Sequence, residues 1–348
     1  EIPHLDVHQE VQETLTALGP GLAYSRLLRL KSGQGSNQPN LLLECDLCQS
    51  WHLNEDLAYV FNLRPDILWQ NLAPVNGRAL VAEDIIFSLD RLKTEGWPNA
   101  PLLSSIGEAK ALDSQTVQIE LSLQDADALL ALADGHVKIV APEVVAEYGD
   151  LRTAPVIGTG PWIWQNTDSV QGMEFIRNAD YFEGGLPFLD QLNVTVMRAD
   201  PLANSPGSIA LDKVAAFKAG LVDVLSVGPS EWDMVRKNNS DFQSVVSRKS
   251  GSGIVLALNA QMPNLQETAV RQAIFQAVDP WDYLDTVWSG QGFASVGIPV
   301  RESDWLLERQ EMRQNFFADP GKARQLLIDS GQKLPVDLEI TVRIERTG

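Results

Sequence analysis

The sequence predicts a mixed α/β fold. Three observations carry that reading. Apolar residues alternate at period two in several short runs, they recur at helical spacing in others, and the two patterns interleave without repeats or low-complexity tracts. A length of 348 residues adds a prior of about two domains.

In chain order, Tyr59-Val60-Phe61-Asn62-Leu63 alternates as a half-buried strand does. Ala82 to Leu92 reads as a helix with Ile85, Ile86 and Leu89 inward. Glu83 and Asp84 then suit the positive end of its dipole. Thr116 to Leu121 alternates again. Gly158-Thr159-Gly160-Pro161 reads as a tight turn whose glycines supply special backbone angles. Leu192 to Val196 is a third alternating run, and Ala203 to Ser208 reads as a surface insertion. Ser250-Gly251-Ser252-Gly253 suits a hinge before Ile254 to Leu258, an unbroken apolar run expected to be a strand buried on both faces. Thr268 to Ala277 presents Val270, Ala273, Ile274 and Ala277 on one helical face. The last helix is the clearest: Asp319 can cap it, Pro320 suits its first position, and Ser330-Gly331 stops it. The Gly158 and Ser250 segments cut the chain into blocks of roughly 150, 90 and 100 residues, suited to lobes rather than one barrel.

Composition narrows the function. Lys plus Arg total 27 against 46 Asp plus Glu, a net charge of −19. Nucleic acid and anionic membrane both select basic surfaces, so neither is expected as a partner. With 44% hydrophobic and 21% charged residues the chain is of ordinary globular composition, not disordered. No apolar run approaches the ~18 residues of a membrane span. No basic-then-apolar export signal stands at Glu1. Two cysteines and four histidines leave little material for a metal centre, and neither metal nor cofactor is expected. Cys45-Asp46-Leu47-Cys48 leaves a redox pair, half a zinc site and a local disulfide open. Only His52 lies near enough to add a ligand, and Glu44 and Asp46 have the wrong sign to activate a thiol. No His/Ser/Asp set, phosphate loop or carboxylate pair at a strand end points to catalysis.

Several segments together resemble one family, the extracytoplasmic solute-binding proteins of dipeptide, oligopeptide and nickel ABC transporters (family 5). Leu5-Asp6 followed by Leu27-Leu28 is similar to its opening, with Val7 in place of a proline. Ser50-Trp51, Tyr59 to Arg64, Trp69, Gly77, Ala82-Glu83-Asp84-Ile85 and Phe87-Ser88-Leu89 resemble its most characteristic stretch. Ile157 to Trp162 matches its Val-Gly-Thr-Gly-Pro-aromatic signature, and Arg177 to Phe182 its Arg-Asn-Pro-x-Tyr-aromatic run. Phe217 to Val224, Leu258-Asn259, Val270 to Ala273, Ala277 to Asp279, Ile298-Pro299 and the Asp319 to Gly331 helix follow in the family's order.

The resemblance implies a type II periplasmic-binding-protein fold: a discontinuous two-lobe α/β body with an extra subdomain. Lobe I would take residues 1–29 and 155–248, the subdomain 30–154, and lobe II 249–348. Family members run on past the last helix, whereas this sequence stops at Gly348 as a strand from Leu338 to Ile344 begins. The second lobe is therefore expected to be incomplete, and this chain alone to bind weakly. The implied function is the substrate-binding component of an ABC importer: a monomeric, extracytoplasmic carrier, periplasmic or a surface lipoprotein. It would capture a peptide or similar small solute by lobe closure and deliver it to a membrane permease. Closure excludes water, so few polar groups can fix the ligand.

By position, Glu10, Val11 and Gln12 resemble the stretch that touches ligand backbone. Ser250, Gly251 and Ser252 fall where peptide binders carry cleft aromatics, and Gly228 with Trp232 falls where a lobe I loop faces the cleft. Arg343 lies roughly where dipeptide binders clamp the ligand carboxylate. Trp232 is weighed as packing, and Trp51, Trp69 and Tyr181 as structural. Arg271 is expected to pair with a carboxylate or cap carbonyls. Cys45 and Cys48 read either as a buried pair or, in an oxidising compartment, as a disulfide. The alternatives are a ligand-sensing regulatory module of the same fold, a binder of nickel complexes, opines or oligosaccharides, and an enzyme such as a glycoside hydrolase, which nothing specific supports.

Overall fold

A computed structural model describes residues 4–33, 41–168, 172–195, 208–236, 242–245, 256–288, 290, 292–296, 307–332 and 334–338. Contacts divide the chain into two compact units, Glu1–Val196 and Met197–Gly348.

The first unit carries every described strand. A short helix α1 (Glu13–Thr16) and a 3₁₀ turn (Pro20–Ala23) lead into a hairpin of β1 (Leu28–Leu30) and β2 (Leu43–Cys45). β3 (Cys48–Leu53), β4 (Tyr59–Leu63), β5 (Ile106–Asp113) and β6 (Thr116–Leu121) form an antiparallel sheet in the order β3-β4-β6-β5. α2 (Ala82–Leu92) lies against it. α3 (Ala128–Leu132) and α4 (Pro142–Tyr148) follow, and β7 (Trp162–Asp168), β8 (Gly172–Arg177) and β9 (Gln191–Val194) make a second antiparallel sheet.

The local reasons are those read in the sequence. β4 is central in its sheet and buries Val60, Phe61 and Leu63. β6 buries Val117 and Ile119. Ile85, Leu89 and Leu92 place one fully buried stripe of α2 in the same core, together with Trp69. Each such side chain contributes about 1.5–3 kcal/mol through burial. Asp84 stabilises the start of α2, its Oδ2 accepting from the Val81 amide at 3.1 Å. It also accepts from Trp69 Nε1 at 3.1 Å and from Arg78. Trp51 packs partly buried against this core, and Tyr181 against Phe182, so these aromatics are structural as expected.

The Gly-Thr-Gly-Pro segment corrects the sequence reading. Neither Gly158 nor Gly160 has a positive φ. Their requirement is space: a Cβ on Gly158 would fall 2.0 Å from the Ala23 carbonyl oxygen, and one on Gly160 2.7 Å from the Ala23 carbonyl carbon. Buried Gln70 locks the contact by donating Nε2–H to the Trp162 carbonyl at 2.8 Å and accepting the Gly158 amide at 3.3 Å. Asn178 donates to the Gly160 carbonyl at 2.9 Å. Cys45 and Cys48 form a disulfide that brackets the turn between β2 and β3.

The described elements of the second unit are all helical. They are α5 (Ser208–Lys218), α6 (Pro229–Arg236), a 3₁₀ turn (Pro263–Leu265), α7 (Thr268–Ala277), α8 (Pro280–Val287), α9 (Arg309–Asn315) and α10 (Pro320–Asp329). α7 and α10 pack together, and Val270, Ala273 and Ala323 on them are buried. Trp281, Met312 and Phe317 form a small core, with Trp281 edge-on to Phe317 at 5.8 Å. Asp319 caps α10 by accepting the Lys322 amide at 2.8 Å. Gly331 ends it at φ +74°. Arg271 caps carbonyls, donating to those of Leu265 and Gln266 at 2.7 Å each.

Two strand assignments change. The third alternating run begins at Gln191 and ends at Val194. Of the expected buried strand, Ile254 and Val255 lie outside the described residues. Leu256 to Leu258 are not strand, and Leu256 is 51% exposed. A strand needs a hydrogen-bonded neighbour along its edge, and no described element of this unit is a strand. The hinge at 250–253, the insertion at 203–207 and the strand expected from Leu338 lie outside the described residues, apart from Leu338 itself, which is coil; Ser208 opens α5. Among the described residues, no helix is long and apolar enough to cross a membrane.

Gly158→Ala is expected to destabilise the protein by about 2 kcal/mol or more, because backbone, not a flexible side chain, must yield. Gly184→Ala, which meets nothing within 4 Å, is the control and leaves the urea midpoint unchanged.

Candidate ligand-binding segment

Among the expected site residues, Glu10, Val11 and Gln12 are the ones whose surroundings are best defined. The chain reaches them through Leu5, whose amide donates to the Arg152 carbonyl at 2.9 Å, and a turn centred on Asp6. Asp6 Oδ1 accepts the His8 amide at 3.0 Å and Oδ2 accepts Gln9 Nε2 at 2.8 Å. Arg91, from α2, closes on both oxygens at 3.0 and 2.6 Å. Both partners are buried, Asp6 fully, and the Arg91 guanidinium lies 4.7 Å from the Trp97 ring centroid.

His8 continues the same cluster. Its Nδ1 is 3.0 Å from Arg91 Nη1, which can only donate, so Nδ1 is the acceptor and the proton sits on Nε2. Nε2–H then donates to the Lys138 carbonyl at 2.8 Å. Burial and the Arg91 charge push this imidazole down to about 4. Burial works against the Asp6 carboxylate, but the hydrogen bonds and charge of Arg91 outweigh it and hold Asp6 below its ordinary value. Buried Asn99 completes the clamp, donating Nδ2–H to the carbonyls of His8 at 3.1 Å and Glu10 at 2.8 Å.

The clamp delivers a short exposed segment. Glu10 Oε1 accepts the amides of Val11 at 2.8 Å and Gln12 at 3.2 Å, and the Gln12 carbonyl accepts the Leu15 amide at 2.9 Å. The amides of Val11 and Gln12 are therefore already occupied. What it offers outward is the Val11 side chain, 57% exposed, and the exposed Gln12 carboxamide. An approaching ligand meets an apolar and a polar side chain, or displaces the Glu10 carboxylate to reach the backbone.

Gly228 and Trp232 come together at the start of α6, in the other unit. The Trp232 amide donates to the Gly228 carbonyl at 2.9 Å, and the Gly228 amide donates to Glu231 Oε2 at 2.8 Å. Glu231 also pairs with Lys213 at 2.7 Å, and Trp232 is half-buried. Ser250, Gly251, Ser252 and Arg343 lie outside the described residues.

Sequence reasoning missed the residues that hold the segment: Arg91, Asn99, His8 and Lys138. Asp6 stood in a recognised motif, and a buried carboxylate demands a cation, but nothing local says that the cation is 85 residues away. A second charged cluster surrounds the disulfide-bracketed turn. Arg29 bridges Glu44 at 2.7 Å and Glu183 at 2.8 Å, and lies 3.6 Å from Asp46. Among the described residues no His/Cys/Asp/Glu group is arranged to hold a metal ion.

Residues 43–347 match the profile of the bacterial extracellular solute-binding proteins, family 5 middle region. Heme-binding protein A of Haemophilus influenzae is 25% identical over 339 residues, covering 88% of this chain and 56% of that protein. Probable di/tripeptide-binding protein 5 of Pseudomonas aeruginosa is 29% identical over 363 residues, covering 97% and 64%. The chain thus spans less than two thirds of the length of either relative. Among solved structures, the binding protein MoaA from A. tumefaciens R10, in complex with mannopinic acid, superposes with a TM-score of 0.73. Its identity is 22%, over 95% of this chain and 63% of that one, so this likeness shows the fold alone.

Two outcomes follow from the clamp. Arg91→Met strands a buried carboxylate and is expected to cost about 3–5 kcal/mol in urea unfolding. Arg177→Met, whose partner Asp190 is 90% exposed, should cost under about 0.5 kcal/mol. The second outcome concerns pH. The unfolded chain protonates His8 below its ordinary 6.5, but the fold resists until about 4. Stability should fall as pH drops through that window, by roughly 3 kcal/mol, and His8→Gln should flatten the slope.

Proposed function

Because this chain belongs to the bacterial extracellular solute-binding proteins of family 5, we propose that it is the substrate-binding component of an ABC importer. It captures a short peptide or similar small solute outside the cytoplasm and hands it to a membrane permease. The observation that carries this reading is the family match across residues 43–347, joined by a di/tripeptide-binding relative aligned over 97% of the chain. The α/β fold is that of type II periplasmic binding proteins.

In this reading the chain works as a binder, without bond-breaking chemistry, and as a monomer with no nucleic-acid partner. Residues 1–29 and 155–248 are lobe I, 30–154 the extra subdomain and 249–348 part of lobe II. Val11 and Gln12 meet the ligand, with Gly228, Trp232, Ser250, Gly251, Ser252 and Arg343 as further contacts. A Cys45–Cys48 disulfide suits an oxidising, extracytoplasmic compartment. A net charge of −19 keeps such a carrier soluble and favours zwitterionic or cationic solutes.

Native mass spectrometry of the purified protein tests the ligand class. A retained or titrated mass fitting a di- or tripeptide at one per chain is the expected result. Retention of a solute of another class, with no peptide retained from a mixed panel, removes the peptide assignment. Hydrolysis of any panel member removes the carrier reading altogether.

A further inference from the structure

The carboxylate of Glu10 occupies two backbone donors of the segment it belongs to. Its Oε1 accepts the Val11 amide at 2.8 Å and the Gln12 amide at 3.2 Å, and both bonds are exposed. Both amides precede α1 (Glu13–Thr16), so they are not the terminal donors of that helix. The Glu10 backbone is fixed, because buried Asn99 donates Nδ2–H to its carbonyl at 2.8 Å and to that of His8 at 3.1 Å. The side chain can therefore swing away while the backbone stays in place. Its charge is also unmatched. Among the described residues no Lys, Arg or His pairs with Glu10, and its Oε2 has no hydrogen-bond partner. Arg91, the cation of the neighbouring clamp, is spent on Asp6 and His8.

Displacing this carboxylate has a definite charge requirement. A ligand carbonyl that replaces Oε1 gives the amides a neutral acceptor for a charged one, which is the weaker bond. The loss is offset only if the displaced carboxylate gains a partner of its own. A ligand carboxylate would restore the charged acceptor, but it sets a second negative charge against Glu10. A ligand with an ammonium group beside its carbonyl meets both needs, its oxygen going to the amides and its cation to Glu10. The amino-terminal residue of a peptide has that arrangement, since its α-ammonium and its carbonyl stand on the same carbon.

We infer that Glu10 is a specificity-determining residue: its carboxylate holds the Val11 and Gln12 amides in the free protein, yields them to a ligand carbonyl, and takes the ammonium group beside that carbonyl. The inference rests on the reading of Glu10 to Gln12 as a ligand contact, and it narrows the ligand class to solutes with a free amino terminus. A solute that presents a carboxylate at this place is turned away by the same charge.

NMR titration of the full chain with trialanine and with N-acetyl-trialanine gives both affinities and the amide shifts in one experiment. Acetylation removes the ammonium group and leaves the carbonyls. The unaltered protein should bind trialanine more tightly than the acetylated peptide. Glu10→Gln keeps an oxygen that can accept the two amides but loses the charge, so the ratio of the two affinities should fall by about threefold or more. That fall should come from weaker binding of trialanine, with the acetylated peptide bound no less tightly than before. Glu147→Gln removes the same charge from an exposed position of the same unit and should leave the ratio unchanged. A ratio unchanged in Glu10→Gln, one lowered as much in Glu147→Gln, or equal binding of the two peptides by the unaltered protein overturns the inference. The Val11 and Gln12 amides separate it from the reading beneath it. If they shift on saturation with trialanine while the ratio survives Glu10→Gln, the segment meets the ligand and only the role of Glu10 falls. If trialanine binds without shifting them, or does not bind, both fall.

Discussion

The buried pair between Asp6 and Arg91 is the constraint on which the candidate site depends. Taking both charges out of water is costly, and their attraction is offset largely by that desolvation. What the pair contributes is position. Asp6 spends its two oxygens on four donors, Arg91 spends its guanidinium on Asp6, His8 and the Trp97 face, and neither can shift without stranding the other. The turn holding Asp6 and His8 is thereby bolted to α2, and Asn99 adds two bonds just before the segment emerges. Val11 and Gln12 are exposed on a backbone whose preceding residues have almost no freedom. Preorganisation of this kind lowers the ordering cost of binding.

A second rigid contact is steric. Gly158 and Gly160 let the chain entering β7 lie against the backbone of Ala23, closer than any side chain would permit. Gln70 and Asn178 satisfy the polar groups that this approach buries. The first unit is therefore held at two points, one by charge and one by the absence of a Cβ.

Those two points mark where the sequence is informative and where it is not. β4, β6, α2, α7 and α10 have the bounds that periodicity predicts, because each must present one apolar face to a core and carries its own end signals. Ile254 to Leu258 lacks alternation, and an apolar run without period says nothing about its neighbours; Leu256 is exposed. The Gly-Thr-Gly-Pro motif was legible as a constraint but not as to its kind, since a turn and a close approach require the same residue. Glu10 to Gln12 were legible only through a family likeness. Their anchors were not legible at all, because Arg91, Asn99 and Lys138 reach them from 85 to 130 residues away.

The central claim is that this clamped segment meets the solute. Amide chemical-shift mapping of the full chain during titration with a short peptide such as trialanine tests it most directly, since it reports even weak contact residue by residue. The account predicts saturable shifts at Val11 and Gln12 and at the Gln12 side-chain carboxamide, with the Asp6 and His8 amides undisturbed. Saturable peptide binding that leaves Val11 and Gln12 unshifted would contradict it.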